Sequence, residues 1–203
     1  MDQASNAHSD QQADRRPGIA ICVWSPSYTA WDPVEDLSGE PWCPPGARTL
    51  AIDGDASADA LAASLTELLT QGDCSALLLV GRTIHSGPVR IQMRAENRRL
   101  NALGRHDATS PSIVRVTAPV ADILRDLNAA GLSAAAASDV EEDAGSYILY
   151  RILAQLPDNL NSPSIGLLRI PDGESEQTVR TAVKTAASAM SRRLAPLPRS
   201  RVA

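Results

Sequence analysis

Apolar residues along this chain follow two spacings, which alternate from one end to the other. Short apolar runs, or strict alternation of apolar and polar residues, predict strands. We expect seven of them, at 18–23, 48–52, 74–80, 89–95, 112–116, 132–137 and 165–170. Apolar residues that recur every three or four positions predict helices. We expect four of these, at 57–69, 119–130, 144–156 and 175–194.

The order of these elements predicts the fold class. Strands that alternate with helices form a mostly parallel sheet with helices packed on both faces. We therefore expect an α/β fold, a three-layer α/β/α sandwich with a mostly parallel central sheet. Active sites in such sheets lie at the carboxyl ends of the strands, on the loops that lead into helices.

Single residues indicate two helix ends, and local composition indicates one long loop. Ser57 and Asp59 are typical of a helix start, and Gly131 is typical of the residue that follows a helix C-terminus. The segment 24–46 contains five prolines and all three tryptophans, and we expect it to be a long loop. Loops of this length inside a compact domain usually carry function.

Length and composition indicate one domain. The chain has 203 residues, 43% of them apolar, which suffices for a single core. We expect the polar segment 1–17 to be a disordered tail, 18–194 to be the folded domain, and the Pro- and Arg-rich segment 195–203 to be loose. The chain has no apolar run long enough for a membrane span and no signal-peptide core, so we expect a cytoplasmic protein.

Charge and cysteine usage exclude several classes of function. The formal charge is -5, and aromatic residues make up 3% of the chain, which argues against nucleic-acid binding. Three cysteines without close pairing favour neither a disulfide framework nor a zinc site. We expect no metal, no cofactor, no nucleic-acid partner and no membrane partner.

Four segments, in order, resemble one enzyme family. The strongest are APVADILRDLNAAGLSAAAASDVEEDAGSYILYRILAQL and GLLRIP, within 118–171, and upstream lies LLLVGRTIHSGPVRIQMRAEN. A fainter match is IAICVWSPSYTAWDP near the N-terminus. Over 18–193 the chain resembles the pyroglutamyl peptidases (pyrrolidone-carboxylate peptidases), cysteine peptidases that remove an N-terminal pyroglutamate. The resemblance implies a phosphorylase/hydrolase-like fold.

The three catalytic positions of that family hold other residues here. The resemblance places its Glu, Cys and His at Gln92, Leu149 and Arg169, with Leu149 in the first turn of the helix 144–156. A leucine has no thiolate, and an arginine does not exchange protons near neutral pH. We therefore expect a catalytically inactive relative that acts as a binding or scaffolding subunit.

The resemblance also implies a pocket and an oligomer. In the family, aromatic side chains of the first loop hold the lactam ring, and Trp24 with Tyr28 or Trp31 would do so here. The full set of ligand-binding candidates is Trp24, Tyr28, Gln92, Arg99, Tyr150 and Arg169. The expected ligand is a small lactam, a carboxylate or a peptide N-terminus, and the active family tends to form homo- or hetero-oligomers.

Other interpretations remain open at this point. One is a rebuilt hydrolase that uses Cys43 with one of two histidines, His85 or His106, or uses the acidic residues near Asp143, although negative charge before a helix usually has a structural role. A second is that Arg90, Arg94 and Arg169 together bind an anion in place of catalysis. A third is that the tryptophan loop forms a partner interface, where Trp is enriched.

Overall fold

The computed structural model describes residues 16–23, 44–50, 57–72, 74–156 and 162–194, which contain eight strands and four helices. The strands are β1 (Gly18–Val23), β2 (Arg48–Leu50), β3 (Ala76–Thr83), β4 (Val89–Gln92), β5 (Arg94–Glu96), β6 (Ile113–Arg115), β7 (Ala134–Ala137) and β8 (Ser164–Pro171). The helices are α1 (Ala58–Thr70), α2 (Val120–Ala129), α3 (Ala144–Gln155) and α4 (Glu176–Leu194).

Six strands form the central sheet, in the order β2-β1-β3-β8-β4-β7. Four of the five neighbouring pairs are parallel, and the pair of β4 with β8 is antiparallel. β5 and β6 pair only with each other, as an antiparallel ribbon beside the sheet. The expected α/β class with a mostly parallel sheet is confirmed.

Side-chain alternation along the strands divides the core into two layers. In β3, Leu78 faces the cluster that includes α2 and α4, whereas Leu77 and Leu79 face the cluster that includes α1 and α3. This follows from the two-residue period of a strand, which sends neighbouring side chains to opposite faces. Because both faces of β3 are covered, its sequence is a continuous apolar run rather than an alternating one.

The predicted strand 89–95 is wrong as a single element. The chain leaves the central sheet at Met93, whose N–H donates to the carbonyl of Ala137 (2.9 Å) and whose carbonyl accepts from Val116 (3.1 Å). Met93 therefore bonds to the central sheet through one group and to the ribbon region through the other. As a result Gln92 and Arg94 lie in different sheets. The third strand, expected at 74–80, also ends later than predicted, because β3 continues to Thr83 alongside β8.

The helix ends follow local chemistry. The Ser57 hydroxyl accepts from the N–H of Ala60 (3.4 Å) at the start of α1, and an Asp143 carboxylate oxygen accepts from Ser146 (2.9 Å) at the start of α3. Gly131 follows α2 with a positive φ of 81°, which is the conformation that glycine adopts without strain. None of the four helices has the length and apolarity that a membrane crossing requires.

Candidate functional site

Two of the three predicted catalytic positions meet at the carboxyl end of β8. Gln92 lies at the end of β4 and Arg169 lies near the end of β8. The antiparallel register sets Arg90 opposite Arg169 and Gln92 opposite Leu167, and the side chains of Gln92 and Arg169 are in hydrogen-bond contact. Both residues are 1% exposed. Gln92 and Arg169 are therefore in direct contact in the folded chain.

The Arg169 guanidinium is held from several sides, and we call this arrangement the Arg169 clamp. Its Nη1 and Nη2 donate to the two carboxylate oxygens of Asp143, with Nη2 at 2.7 Å from Oδ1. Nη2 also donates to the Ser146 hydroxyl (2.7 Å), and Nε donates to Gln92 Oε1 (3.3 Å). Nη1 lies 3.4 Å from the carbonyl oxygen of Arg82. All three nitrogens are therefore bonded within the protein.

Two glycines make room for this guanidinium. A Cβ at Gly81 would lie 2.9 Å from Nη1 of Arg169, and a Cβ at Gly145 would lie 3.4 Å from the same atom. The first distance is closer than carbon and nitrogen pack, so Arg169 occupies the space that any side chain at 81 would need. The strand β3 thus carries a glycine, between Val80 and Arg82, where an arginine of β8 lies beside it.

The amide of Gln92 suits this site better than a carboxylate would. Its Oε1 accepts from Arg169 while its Nε2 donates to the carbonyl oxygen of Arg94 (2.9 Å). A glutamate would set a second oxygen against that carbonyl. It would also place a second negative charge beside Arg169, whose charge Asp143 already balances. The substitution at 92 therefore matches the arginine at 169.

Leu149 fills the third position with an apolar side chain. It is fully buried and belongs to the apolar cluster that packs α1 and α3 against the sheet. It is the sixth residue of α3, which begins at Ala144. The expectation that it lies in the first turn is therefore wrong, and the helix N-terminus is occupied instead by Asp143 and Ser146.

A groove lies beside the clamp, between α3 and the loop that follows β5. It encloses about 640 Å³ between residues 96–105 on one wall and residues 140–143 with Ser146 and Tyr147 on the other. This volume is within the range of small-molecule sites. Asp143 and Ser146 belong both to the clamp and to the groove wall, so the clamp fixes one side of the groove.

Asn97 organises the loop that forms the other wall. This residue is 4% exposed, and its side chain bonds to the loop backbone. Its Oδ1 accepts from the N–H groups of His106 (2.9 Å) and Asp107 (3.1 Å), and its Nδ2 donates to the Asp107 carbonyl (2.6 Å). Hydrogen bonds from Ser110 and Thr109 lower the pKa of Asp107 to about 2. The loop between β5 and β6 is therefore held together by its own hydrogen bonds.

A second polar cluster ties this loop to two helices. The Tyr147 hydroxyl of α3 donates to Asp59 of α1 (2.8 Å) and accepts from Arg151 (3.0 Å), and it lies 3.3 Å from Nδ1 of His106. The hydrogen bond from Tyr147 and the charge of Arg151 hold the pKa of Asp59 below its ordinary value. Burial and the bond to Asp59 raise the pKa of Tyr147, so the phenol stays protonated at neutral pH.

The remaining ligand-binding candidates are dispersed. Arg99 is exposed and lines the groove, where its Nε donates to the carbonyl of Arg105 (2.9 Å). Tyr150 is 1% exposed, and its hydroxyl donates to the carbonyl of Pro111 (2.7 Å), away from the groove lining. Trp24 and Tyr28 lie outside the described residues.

The alternative sites divide in the same way. Arg90, Arg94 and Arg169 each pair with a different carboxylate, those of Asp139, Glu96 and Asp143 respectively. Cys43 and Trp31 also lie outside the described residues. Among the described residues, no three His, Cys, Asp or Glu side chains are close enough together to hold a metal ion.

Sequence reasoning missed four residues of the site: Gly81, Asn97 as loop organiser, Gly145 and Ser146. The pattern Asp143-Ala-Gly-Ser146 carries a helix-start signal that identifies the cap. No local signal links it to Arg169, which is 26 residues away.

Comparison with known proteins identifies the fold. No family model and no curated protein matches the sequence. Solved structures do match: pyroglutamyl peptidase I from Bacillus amyloliquefaciens has a TM-score of 0.70 at 15% identity, covering 90% of this chain and 100% of that one. A mutant pyrrolidone carboxyl peptidase from Pyrococcus furiosus gives 0.70 at 15% (87% and 99%), and the Thermus thermophilus enzyme gives 0.63 at 16% (85% and 99%). The chain therefore has the pyroglutamyl-peptidase fold, and the resemblance is confirmed at that level.

Proposed function

We propose that this chain is a divergent relative of the pyroglutamyl peptidases that does not hydrolyse peptides and acts as a binding or scaffolding subunit. The observation that carries the proposal is the Arg169 clamp. An arginine bonded to Asp143, Gln92 and Ser146 occupies the position to which the sequence resemblance assigns the family's base. Nucleophile, base and orienting residue act as a unit in such enzymes, so the absence of all three removes this route to hydrolysis.

The groove beside the clamp supports a binding role. It offers about 640 Å³, and its lining combines arginine side chains with carboxylates and one tyrosine. A lactam or a carboxylate remains the proposed small ligand, with Arg99 as the groove residue that would contact it. The clamp itself is too enclosed to take part, since Arg169 is 1% exposed.

The alternative is an enzyme with rebuilt chemistry at Cys43 or Asp143. Asp143 is 38% exposed, but its carboxylate accepts bonds from Arg169 and from the backbone of α3. A carboxylate bonded in this way serves poorly as a general base, because its lone pairs are already engaged. Alkylation of Cys43, followed by activity assays with and without the modification, tests the thiol version.

The decisive test is hydrolysis of a pyroglutamyl-coumarin substrate. We expect no turnover by the wild-type chain. A second sample carries Gln92→Glu, Leu149→Cys and Arg169→His together, and activity in this variant would show that the pocket still accepts the substrate. Turnover by the wild-type chain overturns the proposal. Thermal denaturation with added pyroglutamate tests ligand binding separately, since a bound ligand raises the stability of the folded state.

A further inference from the structure

The groove beside the clamp has walls of opposite charge. The wall formed by residues 96–105 carries three arginines and one glutamate, whereas the wall formed by residues 140–143 with Ser146 and Tyr147 carries three carboxylates. The described lining is therefore almost neutral, with four carboxylates against three guanidinium groups. Such a lining does not select a ligand by net charge. It is complementary to a ligand that carries a positive group at one end and a negative group at the other.

Most of these charges are already paired within the chain. Arg98 pairs with Glu96 on its own wall and with Glu142 on the facing wall. Asp143 is bonded to Arg169 in the clamp. These pairs engage one guanidinium group and three carboxylates of the lining, so they are not the groups that a ligand would contact first.

The charged groups of the lining without an ion pair lie on opposite walls. Arg99 bonds through its Nε to the carbonyl of Arg105 (2.9 Å), and its two Nη atoms have no partner in the described part of the chain. Arg105 donates to the Ser112 hydroxyl. On the other wall, the carboxylate of Glu141 is half-buried and has neither a hydrogen bond nor an ion pair to any residue that the structure describes. A partly buried charge without a partner is costly, and a bound cation removes that cost.

The ion pair between Arg98 and Glu142 limits the width of the groove. Because these two side chains join the walls directly, the walls there are no farther apart than an arginine and a glutamate reach together. Arg99 and Glu141 are their neighbours in sequence, one on each wall. The gap between them is therefore on the scale of a short peptide, since three extended residues span at most about 11 Å. The groove volume of about 640 Å³ accommodates a ligand of this size.

We propose that the groove binds a short zwitterionic peptide, with the terminal carboxylate on Arg99 and the terminal ammonium on Glu141. A guanidinium binds a carboxylate through two parallel hydrogen bonds, and an ammonium donates charge-assisted hydrogen bonds to a carboxylate. The two contacts lie on different walls, so a ligand without one of the charges loses one contact. This proposal rests on the binding role proposed above. It adds a free ammonium to the carboxylate named there, a group that pyroglutamate lacks because its nitrogen is part of the lactam.

Nuclear magnetic resonance titration of the ¹⁵N-labelled chain with tri-alanine tests the proposal. Three ligands of similar size are compared in 50 mM NaCl: the free peptide, its N-acetyl form without the ammonium, and its C-terminal amide without the carboxylate. We expect saturable shifts of amide signals from both walls with the free peptide, and a dissociation constant at least threefold higher for each blocked form. Binding of the free peptide should weaken in 300 mM NaCl, because charges are screened over about 10 Å at 0.1 M salt.

Variants of the two groove residues assign each end of the peptide. Arg99→Gln should weaken binding of the free peptide at least threefold and change binding of the amide less than 1.5-fold. Glu141→Gln should weaken binding of the free peptide to the same extent and change binding of the N-acetyl form less than 1.5-fold. Arg99→Lys keeps the charge and should retain binding within twofold, which separates a lost contact from a changed loop.

Matched controls separate this site from net charge. Arg125→Gln on α2 and Glu67→Gln on α1 make the same changes of charge outside the groove lining, and each should alter binding less than 1.5-fold. Blocked peptides that bind as tightly as the free one, or equal losses in the groove and control variants, would overturn the inference.

The hydrolysis assay makes the two proposals separable. Absence of tri-alanine binding together with absence of turnover overturns the zwitterion inference and leaves the non-hydrolytic role in place. Binding of pyroglutamate without binding of tri-alanine has the same meaning, because a carboxylate alone is then sufficient. Turnover of the coumarin substrate by the wild-type chain overturns the proposed function, whichever peptide binds.

Discussion

Removal of either partner of the Arg169 clamp should destabilise the chain, but by different amounts. Asp143→Asn retains a good helix cap and leaves a cation that is 1% exposed without a counter-ion. Breaking a buried pair in this way costs about 3–5 kcal/mol of unfolding free energy. Arg169→Met leaves a carboxylate that is 38% exposed and can hydrate. We therefore expect a smaller loss, about 2 kcal/mol, because charged hydrogen bonds to Gln92 and Ser146 are also lost.

The assay is urea denaturation followed by far-UV circular dichroism, on the two single variants and the double variant. The double variant should lose about 1–3 kcal/mol less than the sum of the singles, because the residues interact directly. Asp139→Asn is the control, since it breaks the more exposed pair with Arg90 and should cost under about 1 kcal/mol. A loss below about 1 kcal/mol for Asp143→Asn, or additive single effects, would refute the clamp as a source of stability.

Three further predictions address the surroundings. Gly81→Ala should cost about 1–3 kcal/mol of unfolding free energy by overpacking. The same substitution should be nearly neutral in the Arg169→Met background, where the atom 2.9 Å from the new Cβ is gone. A cost that persists in that background would contradict this prediction. The folded-state pKa of Asp107 is depressed to about 2, so its stabilising effect should be complete above about pH 4 and vanish as pH falls toward 2; urea titrations of the wild type and Asp107→Asn should differ at pH 6 and converge at pH 2. Burial raises the pKa of Cys22 to about 11, so iodoacetamide at pH 8 should modify it only after unfolding, and peptide mass spectrometry showing rapid native labelling would disprove its burial.

The sequence predicts the layers of this fold well, because the core is periodic. The run from Cys74 to Val80 and the helical spacing in 119–130 report burial directly, and both elements appear nearly where expected. The direction of β4 was not predictable in the same way. An antiparallel neighbour of β8 differs from a parallel one only in long-range pairing, which a local pattern does not contain.

The clamp shows the same limit at the level of side chains. In the sequence, Arg169 is a single charged residue within an apolar strand, and Asp143 is a typical helix cap. Each assignment is sound locally, yet the bond between the two residues depends on β8 and α3 meeting at one end of the sheet. The resemblance points to positions 92 and 169, and the bonds of Arg169 to Gln92 and Asp143 explain the residues found there.

The packing around Gly81 also restricts how the sequence can change over evolutionary time. A histidine at 169 would leave the Asp143 carboxylate without its guanidinium partner, whereas loss of Asp143 first would leave a buried cation without a counter-ion. Larger residues at 81 stay excluded while the arginine is present. Replacement of Arg169 or Asp143 alone is therefore expected to lower stability before any activity is gained. The residues at 81, 143 and 169 are coupled in this way, so the cost of changing one depends on the identity of the other two.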